Sequence, residues 1–151
     1  MSEIKTKPLF NLTLEVGALM DMRAGAALGR VIFEVSGGRF EGARLRGKVM
    51  PASADWQTVE QGYARMHVRL ALQTDDGALI YMIYEGRNTI DADIRARIAA
   101  GEAVDPSEYY LRTVPIFETG DARYDWLNRI VAVSNGARTG AGVEYAVFEV
   151  L

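Results

Sequence analysis

The chain has no cysteine and a single histidine among its 151 residues. Without cysteine there is no disulfide, no thiol nucleophile and no thiolate metal site. The lone histidine, His67, excludes a multi-histidine zinc or iron site within one chain. A serine nucleophile would need a G-x-S-x-G motif, and the sequence contains none. We therefore expect no bound metal and no organic cofactor, so any chemistry has to come from carboxylate, arginine and tyrosine side chains.

The sequence also lacks long apolar runs and an excess of positive charge. No run approaches the ~20 residues needed to cross a bilayer, and the start, MSEIKTKPLF, has no apolar signal-peptide core. The net charge of −3 argues against a nucleic-acid-binding face. We expect a cytoplasmic protein without membrane or nucleic-acid partners. Its length and ordinary composition predict a polar tail at 1–7 and one domain at 8–151.

Alternation of polar and apolar residues predicts several strands. The clearest segment is 63–74, with Met66 and Val68 on one face and Arg65 and His67 on the other. An Asp-Gly turn follows it and predicts a hairpin, because this dipeptide tolerates positive φ. Loops are expected at 17–29 and 51–56, and further strands at 8–16, 30–35, 39–41, 45–50, 78–85, 109–118, 129–135 and 143–151.

One short helix is predicted near residues 89–100, where Ile90, Ile94 and Ile98 share a face and Gly101 ends the pattern. Eight or more strands with evenly spaced turns predict an all-β, mainly antiparallel sandwich or barrel. Strands that are apolar on both faces favour closure, or a face covered by a partner subunit. We expect a closed or nearly closed β-barrel of about 8–10 strands, which can enclose one small ligand.

Four segments, in this order, resemble the domain of unknown function 3237 family: RFEGARLRGKVMPASADW, TDDGALIYMIYEGR, DPSEYYLRTVPIFETG and YDWLNR. The resemblance extends from about Arg30 to the C-terminus. It implies a compact antiparallel β-barrel of calycin-like shape that is often oligomeric. Members of this family look like auxiliary proteins of small-molecule or aromatic metabolism, so the resemblance is compatible with a lyase, an isomerase or a cyclase.

Asp55 is the first candidate for catalysis. A carboxyl group beside the indole of Trp56 in a pocket would have its charged form disfavoured, and it could then exchange protons near neutral pH. Trp56 would help to shape that pocket. The alternative is that Asp55 caps a loop through backbone N–H groups while Trp56 fills a barrel end.

Arg112 and Arg46 are the candidates for holding a negatively charged substrate group, Arg112 in catalysis and Arg46 in binding. A guanidinium that faces the interior can bind a carboxylate or phenolate through two hydrogen bonds. The alternatives are an ion pair with Glu34 or Glu118, or a solvated position outside. Arg46 shares a face with Arg44, which favours the outside and makes Arg112 the stronger candidate.

Tyrosines and a few polar residues complete the predicted site. Tyr110 is assigned to catalysis and Tyr81 to ligand binding, because a phenol can donate a hydrogen bond to a developing oxyanion; the alternative is that tyrosine simply suits half-buried strands. Glu118 could form a carboxylate pair with Asp55, although a rim glutamate more often makes a weak salt bridge. The remaining predicted ligand-binding residues are Trp126 and Asn128.

The sequence thus predicts a small-molecule-binding β-barrel, acting as a cofactor-independent lyase or isomerase-type enzyme on a small aromatic or carboxylated metabolite. Two alternatives stay open: a non-catalytic carrier or sensor with the same barrel, and a structural oligomeric barrel without a ligand. The expected partners are a small organic ligand and further copies of the chain, in a homo-oligomer that is a dimer or higher.

Overall fold

A computed structural model describes residues 3–151 of the chain. Eight antiparallel strands follow one another around a closed barrel, and the first strand pairs with the last. The prediction of a closed antiparallel barrel with one short helix is confirmed. The strands are β1 (Thr6–Asp21), β2 (Gly29–Glu41), β3 (Arg46–Glu60), β4 (Tyr63–Thr74), β5 (Leu79–Asn88), β6 (Leu111–Glu118), β7 (Ala132–Arg138) and β8 (Gly142–Val150).

The α-helix, α1 (Ala92–Ala99), lies between β5 and β6 in the chain. It is shorter than predicted because Asp91 is its N-cap and accepts a hydrogen bond from the Ile94 N–H at 2.9 Å. Gly101 follows the helix with φ +83°, a conformation that glycine adopts readily. Ile94 is buried in the barrel core, so the helix is anchored over one end of the barrel. Two 3₁₀ turns lie at Pro106–Glu108 and Asp125–Arg129.

Strand β1 continues through part of the predicted loop at 17–29. Its residues Leu19 and Met20 pair with Phe33 and Ile32 of β2, so the actual turn between the two strands is short. Glycine and alanine in this segment favour a loop when they are considered alone. Pairing with a neighbouring strand satisfies the backbone hydrogen bonds and overrides that local preference.

Strand β3 likewise continues through the predicted loop at 51–56, with a bulge between Met50 and Ala54. Pro51 lies in this bulge, where its missing N–H costs no ladder hydrogen bond. The hydroxyl of Ser53 accepts a hydrogen bond from the Ala71 N–H at 3.1 Å and donates one to the Met50 carbonyl at 2.9 Å. The side chain therefore takes the place of ladder bonds across the bulge, and regular pairing resumes just before Asp55.

Phenylalanine side chains fill the end of the barrel opposite α1. The ring of Phe10 lies 5.6 Å from that of Phe40 and 5.9 Å from that of Phe117, centroid to centroid. Leu127, in the second 3₁₀ turn, is fully buried in the same core. This end of the barrel is thus packed with apolar side chains, and space for a ligand is left at the α1 end.

Among the helices within residues 3–151, none has the length and apolar character needed to cross a membrane. The α-helix has eight residues. About 20 would be needed to span the hydrocarbon core of a bilayer.

Truncating Phe40, which has no exposed surface, tests the importance of the packed end. We expect Phe40→Ala to lower the free energy of unfolding by about 3–5 kcal/mol, because it removes a buried ring and leaves a cavity. Urea denaturation followed by circular dichroism measures this. Leu79→Ala, at a side chain that is 63% exposed, is the control and should change the value by less than about 0.5 kcal/mol. A loss below 1 kcal/mol for Phe40→Ala would contradict the assignment.

Candidate functional site

An interior cavity lies beneath α1, where β5 ends and β6 begins. It offers about 80 Å³ to the centre of a water-sized sphere, enough for roughly six water molecules or one small organic molecule. Its wall is mainly apolar and includes Phe33, Val68 and Leu111. The polar side chains that line it are Asp55, Gln57, Tyr84, Asn88, Arg95, Arg138 and Tyr145.

Asp55 points from β3 into this cavity and is only 8% exposed. One carboxylate oxygen accepts a hydrogen bond from the backbone N–H of His67 at 3.1 Å, and the other is 3.5 Å from the amide nitrogen of Gln57. Burial raises the pKa of Asp55 to about 6, while the His67 N–H and the positive charges of Arg138 and Arg30 act in the opposite direction. Near neutral pH both protonation states of this carboxyl are accessible.

Asp55 is the one carboxylate that faces the cavity in the part of the chain that the structure describes. Within residues 3–151, no three histidine, aspartate or glutamate side chains are grouped so that they could hold a metal ion. The polar side chains that line the cavity are suited to proton exchange and hydrogen bonding.

Tyr84 of β5 and Tyr145 of β8 form an edge-to-face pair beside Asp55, with ring centroids 5.5 Å apart. Burial raises the pKa of both phenols above its usual range, and the neighbouring charge of Asp55 contributes in the same direction. Both groups therefore stay protonated at neutral pH. They can donate hydrogen bonds to an oxygen of a bound molecule, but they cannot act as bases there.

The packing around Tyr145 depends on Gly136 of β7. A Cβ atom at this position would lie 2.8 Å from a ring carbon of Tyr145 and 2.5 Å from the side chain of Leu111. Either side chain would have to move. The absence of a side chain at Gly136 thus gives the Tyr145 ring its place in the cavity wall.

The other residues predicted for the site lie outside this cavity. Trp56 follows Asp55 directly, and alternation along β3 places its ring on the outer surface, where Arg69 lies over it at 5.3 Å. Arg46, at the start of β3, is exposed. Trp126 packs against the core at the opposite end of the barrel, beneath the guanidinium of Arg44 at 3.8 Å.

Arg112 and Tyr110 lie together on the outer wall. Leu111 faces inward, so Arg112 faces outward, where its guanidinium donates a hydrogen bond to the Leu111 carbonyl at 2.9 Å and lies 5.1 Å from the Tyr110 ring. Both side chains line a broad external groove of about 950 Å³. The barrel wall separates Arg112 from Asp55, so the structure does not bring these two predicted catalytic residues together.

Tyr81, Glu118 and Asn128 meet in a second, shallow groove on the outer wall. Tyr81 pairs with Glu118 between β5 and β6, and Glu118 is exposed. The amide of Asn128 accepts a hydrogen bond from the Thr119 N–H at 2.8 Å and donates one to the Thr119 carbonyl at 2.9 Å. Asn128 thus closes a turn, and Glu118 does not form a pair with Asp55.

Sequence reasoning missed Tyr84, Tyr145, Gln57, Arg95 and Arg138 as cavity residues. For Tyr145 the signal was present, since Val143 and Val147 two residues away on either side predict an inward-facing row. Arg138 was not predicted because it lies in a Gly-rich segment, between the last two predicted strands, whose composition is typical of a loop. Arg95 faces the cavity only because of how α1 is placed on the barrel.

The pKa of Asp55 makes stability depend on pH. Folding raises this pKa from 3.8 to about 6, so the ionised form is penalised and stability is lost as the pH rises between these values. Asp55→Asn cannot ionise. We expect its free energy of unfolding, relative to wild type, to increase by up to about 3 kcal/mol between pH 4 and pH 7.5. Urea denaturation at both pH values measures this difference.

Asp75→Asn, in the exposed turn between β4 and β5, is the matched control and should show no such change. If the difference in free energy of unfolding between Asp55→Asn and wild type were the same at both pH values, Asp55 would not be desolvated.

The whole chain is similar to proteins of one family. The model of the family described as "Protein of unknown function (DUF3237)" matches residues 4–150. The UPF0311 protein of Bradyrhizobium diazoefficiens is 33% identical over 149 residues, which cover 98% of this chain and 97% of that protein.

Solved structures show the same architecture. A β-barrel-like protein from Acinetobacter baumannii is 35% identical, with a TM-score of 0.83 over 100% of this chain and 98% of its own. An enzyme from Penicillium herquei is 19% identical, with a TM-score of 0.74 over 100% of this chain and 97% of its own, and shares the fold. From the family match and the close relatives, the chain belongs to the DUF3237 family.

Proposed function

We propose that the interior cavity is the active site of an enzyme that moves a proton within a small organic substrate, with Asp55 as general acid and base. The observation that carries this proposal is a carboxyl group with a pKa of about 6, buried in a cavity that two protonated phenols also line. A catalytic acid or base works best when its pKa lies near the working pH. Perturbed carboxyls in cavities are typical of functional sites.

In the proposed reaction, ionised Asp55 removes a proton from a C–H or O–H group of the substrate. The negative charge then develops on a substrate oxygen, to which the hydroxyl of Tyr145 donates a hydrogen bond, with the Tyr84 ring packed beside it. Asp55 returns the proton to another atom of the substrate. Depending on which bond forms or breaks between the two transfers, the outcome is an isomerisation, a cyclisation or an elimination.

Side chains suffice for such proton transfers, so the proposed enzyme needs no cofactor. The apolar wall around Phe33, Val68 and Leu111 suits a ring or another apolar body. We therefore propose a small aromatic or carboxylated metabolite as substrate. The Penicillium herquei protein is described as an enzyme, so catalysis is compatible with this fold.

Deuterium incorporation tests the proposal directly. Wild-type protein is incubated in D₂O with aryl ketones and phenolic carboxylic acids, and exchange at carbon is followed by mass spectrometry. We expect enzyme-dependent exchange that Asp55→Asn reduces about 10²–10⁴-fold, because the base is removed. Tyr145→Phe should reduce it about 100-fold while keeping the ring in place.

Tyr81→Phe, on the outer wall, is the matched control and should exchange at the wild-type rate. Unchanged exchange in Asp55→Asn would contradict the role of this residue. Compounds that bind wild type and Asp55→Asn equally well without any exchange would favour a carrier or sensor instead.

A further inference from the structure

We propose that the substrate of this site carries a negative charge and that its anionic group binds at the mouth of the cavity between Arg95 of α1 and Arg138 of β7. This inference rests on the proposed function in one respect, that the same cavity takes the substrate. The inference concerns the chemical class of the ligand, and it can hold or fail independently of whether Asp55 acts as an acid and base.

Among the residues that the structure describes, neither guanidinium has a carboxylate partner. Within residues 3–151, ion pairs hold Arg97 to Glu102 at 2.7 Å and Arg129 to Asp125 at 2.5 Å, whereas Arg95 and Arg138 form no ion pair and donate no side-chain hydrogen bond to the protein. Both line the cavity. Their donors are thus free for a ligand.

The charge of the cavity is opposite to that of the protein. The chain carries a net charge of −3, yet the described part of the chain places two guanidinium groups and one carboxylate, that of Asp55, in the cavity lining. With Asp55 ionised the cavity has a net positive charge, and with Asp55 protonated it is more positive still. A ligand carboxylate or phenolate balances this charge and can accept several N–H bonds from the two side chains.

The two arginines come from different elements and differ in their supports. The backbone N–H of Arg138 donates to the hydroxyl of Tyr109 at 2.9 Å, which fixes the end of β7. Arg95 lines the cavity from α1 and is also open to solvent, and its buried neighbour Ile94 holds the helix on the barrel. An anionic group between them leaves the remainder of the ligand directed inward, toward Asp55 and Tyr145.

Benzoate and benzamide are suitable probes because they share a ring and differ in charge. We expect wild type to bind benzoate at least tenfold more tightly than benzamide, as charge-assisted hydrogen bonds replace neutral ones. Titration followed by ¹H–¹⁵N correlation spectra should shift amide signals of β7, β8 and α1. Equal affinity for the two compounds, or no binding of benzoate at all, would overturn the proposal.

Arg138→Gln and Arg95→Gln should each weaken benzoate binding about tenfold and leave benzamide binding unchanged. Arg87→Gln, on the outer face of β5, is the control and should bind benzoate like wild type. Benzoate affinity that stays at the wild-type value in the double variant would also overturn the proposal.

Asp55→Asn separates this inference from the proposed function. The variant removes a negative charge, so it should bind benzoate at least as tightly as wild type at pH 8. If it does and deuterium exchange is unaffected, the anion site stands and the catalytic role of Asp55 fails. If Asp55→Asn loses exchange but the arginine variants bind benzoate like wild type, the catalytic role of Asp55 stands and the anion site fails.

A separate observation concerns the outer row of β6, which consists of Arg112, Val114, Ile116 and Glu118. Val114 is 53% and Ile116 47% exposed, and they border the external groove that Val133 of β7 also lines. The row is apolar in the middle, positive at one end and negative at the other. Its two charges are about 20 Å apart along the strand and cannot pair within one copy.

We infer that this row packs against the same row of a second copy of the chain. A two-fold axis between Val114 and Ile116 sets two β6 strands antiparallel, face to face. Arg112 then lies opposite Glu118 of the partner subunit, and the apolar pairs meet at the centre. Such self-complementarity is what a two-fold dimer interface requires, and the interface covers an apolar patch that would otherwise face water.

Charge reversal tests this dimer by sedimentation velocity at several concentrations. We expect wild type to dimerise, Arg112→Glu and Glu118→Arg each to weaken the dimer at least tenfold, and the double variant to regain wild-type association because both ion pairs are restored in reverse. Arg46→Glu, on the exposed start of β3, is the control and should dimerise normally. A monomeric wild type, or a double variant no stronger than the single ones, would overturn the inference.

Discussion

Closure of the barrel is the constraint on which the rest of the structure depends. Once eight strands close, every strand has an inner row and an outer row, and consecutive side chains point to opposite sides of the barrel wall. Inner rows have to fill the interior. Phe10, Phe40 and Phe117 fill one end with rings, and at the other end the inner rows place Asp55 and Tyr145 around open space. The position of a residue relative to this wall decides whether it can take part in interior chemistry.

The buried carboxylate is costly for folding, and its surroundings offset that cost only in part. Asp55 accepts one good hydrogen bond, from the His67 backbone, and the positive charges that act on it belong to Arg138 and Arg30, with which it forms no ion pair. A close ion pair would have kept the carboxyl fully ionised. The arrangement leaves it able to gain and lose a proton, at the expense of stability above its pKa. Residues that lower the stability of the fold, such as a buried carboxylate without an ion-pair partner, are expected at functional sites.

Sequence reasoning predicted the barrel, the hairpin of β4 and β5, and the helix, because these depend on local alternation and turn chemistry. It could not assign the inward face of every strand. In β6 the outer row is also apolar, with Val114 and Ile116, so alternation alone leaves Arg112 undecided. In β3 the bulge at Pro51 looks like a loop and conceals the strand that carries Asp55. Asp55 could be predicted because a carboxyl group next to a tryptophan is a recognisable candidate for acid/base chemistry. The position of Arg95 at the cavity depends on where the helix packs, which only long-range contacts determine.

The ionisation of Asp55 is the quantity on which the account of this site turns, and it can be measured residue by residue. A ¹³C NMR titration of the side-chain carboxyl carbon, assigned by comparison with the asparagine variant, reports its pKa in the folded protein. The structure predicts a midpoint near 6. A midpoint at or below the ordinary aspartate value of about 4 would show a solvated or ion-paired carboxylate and would contradict the central claim.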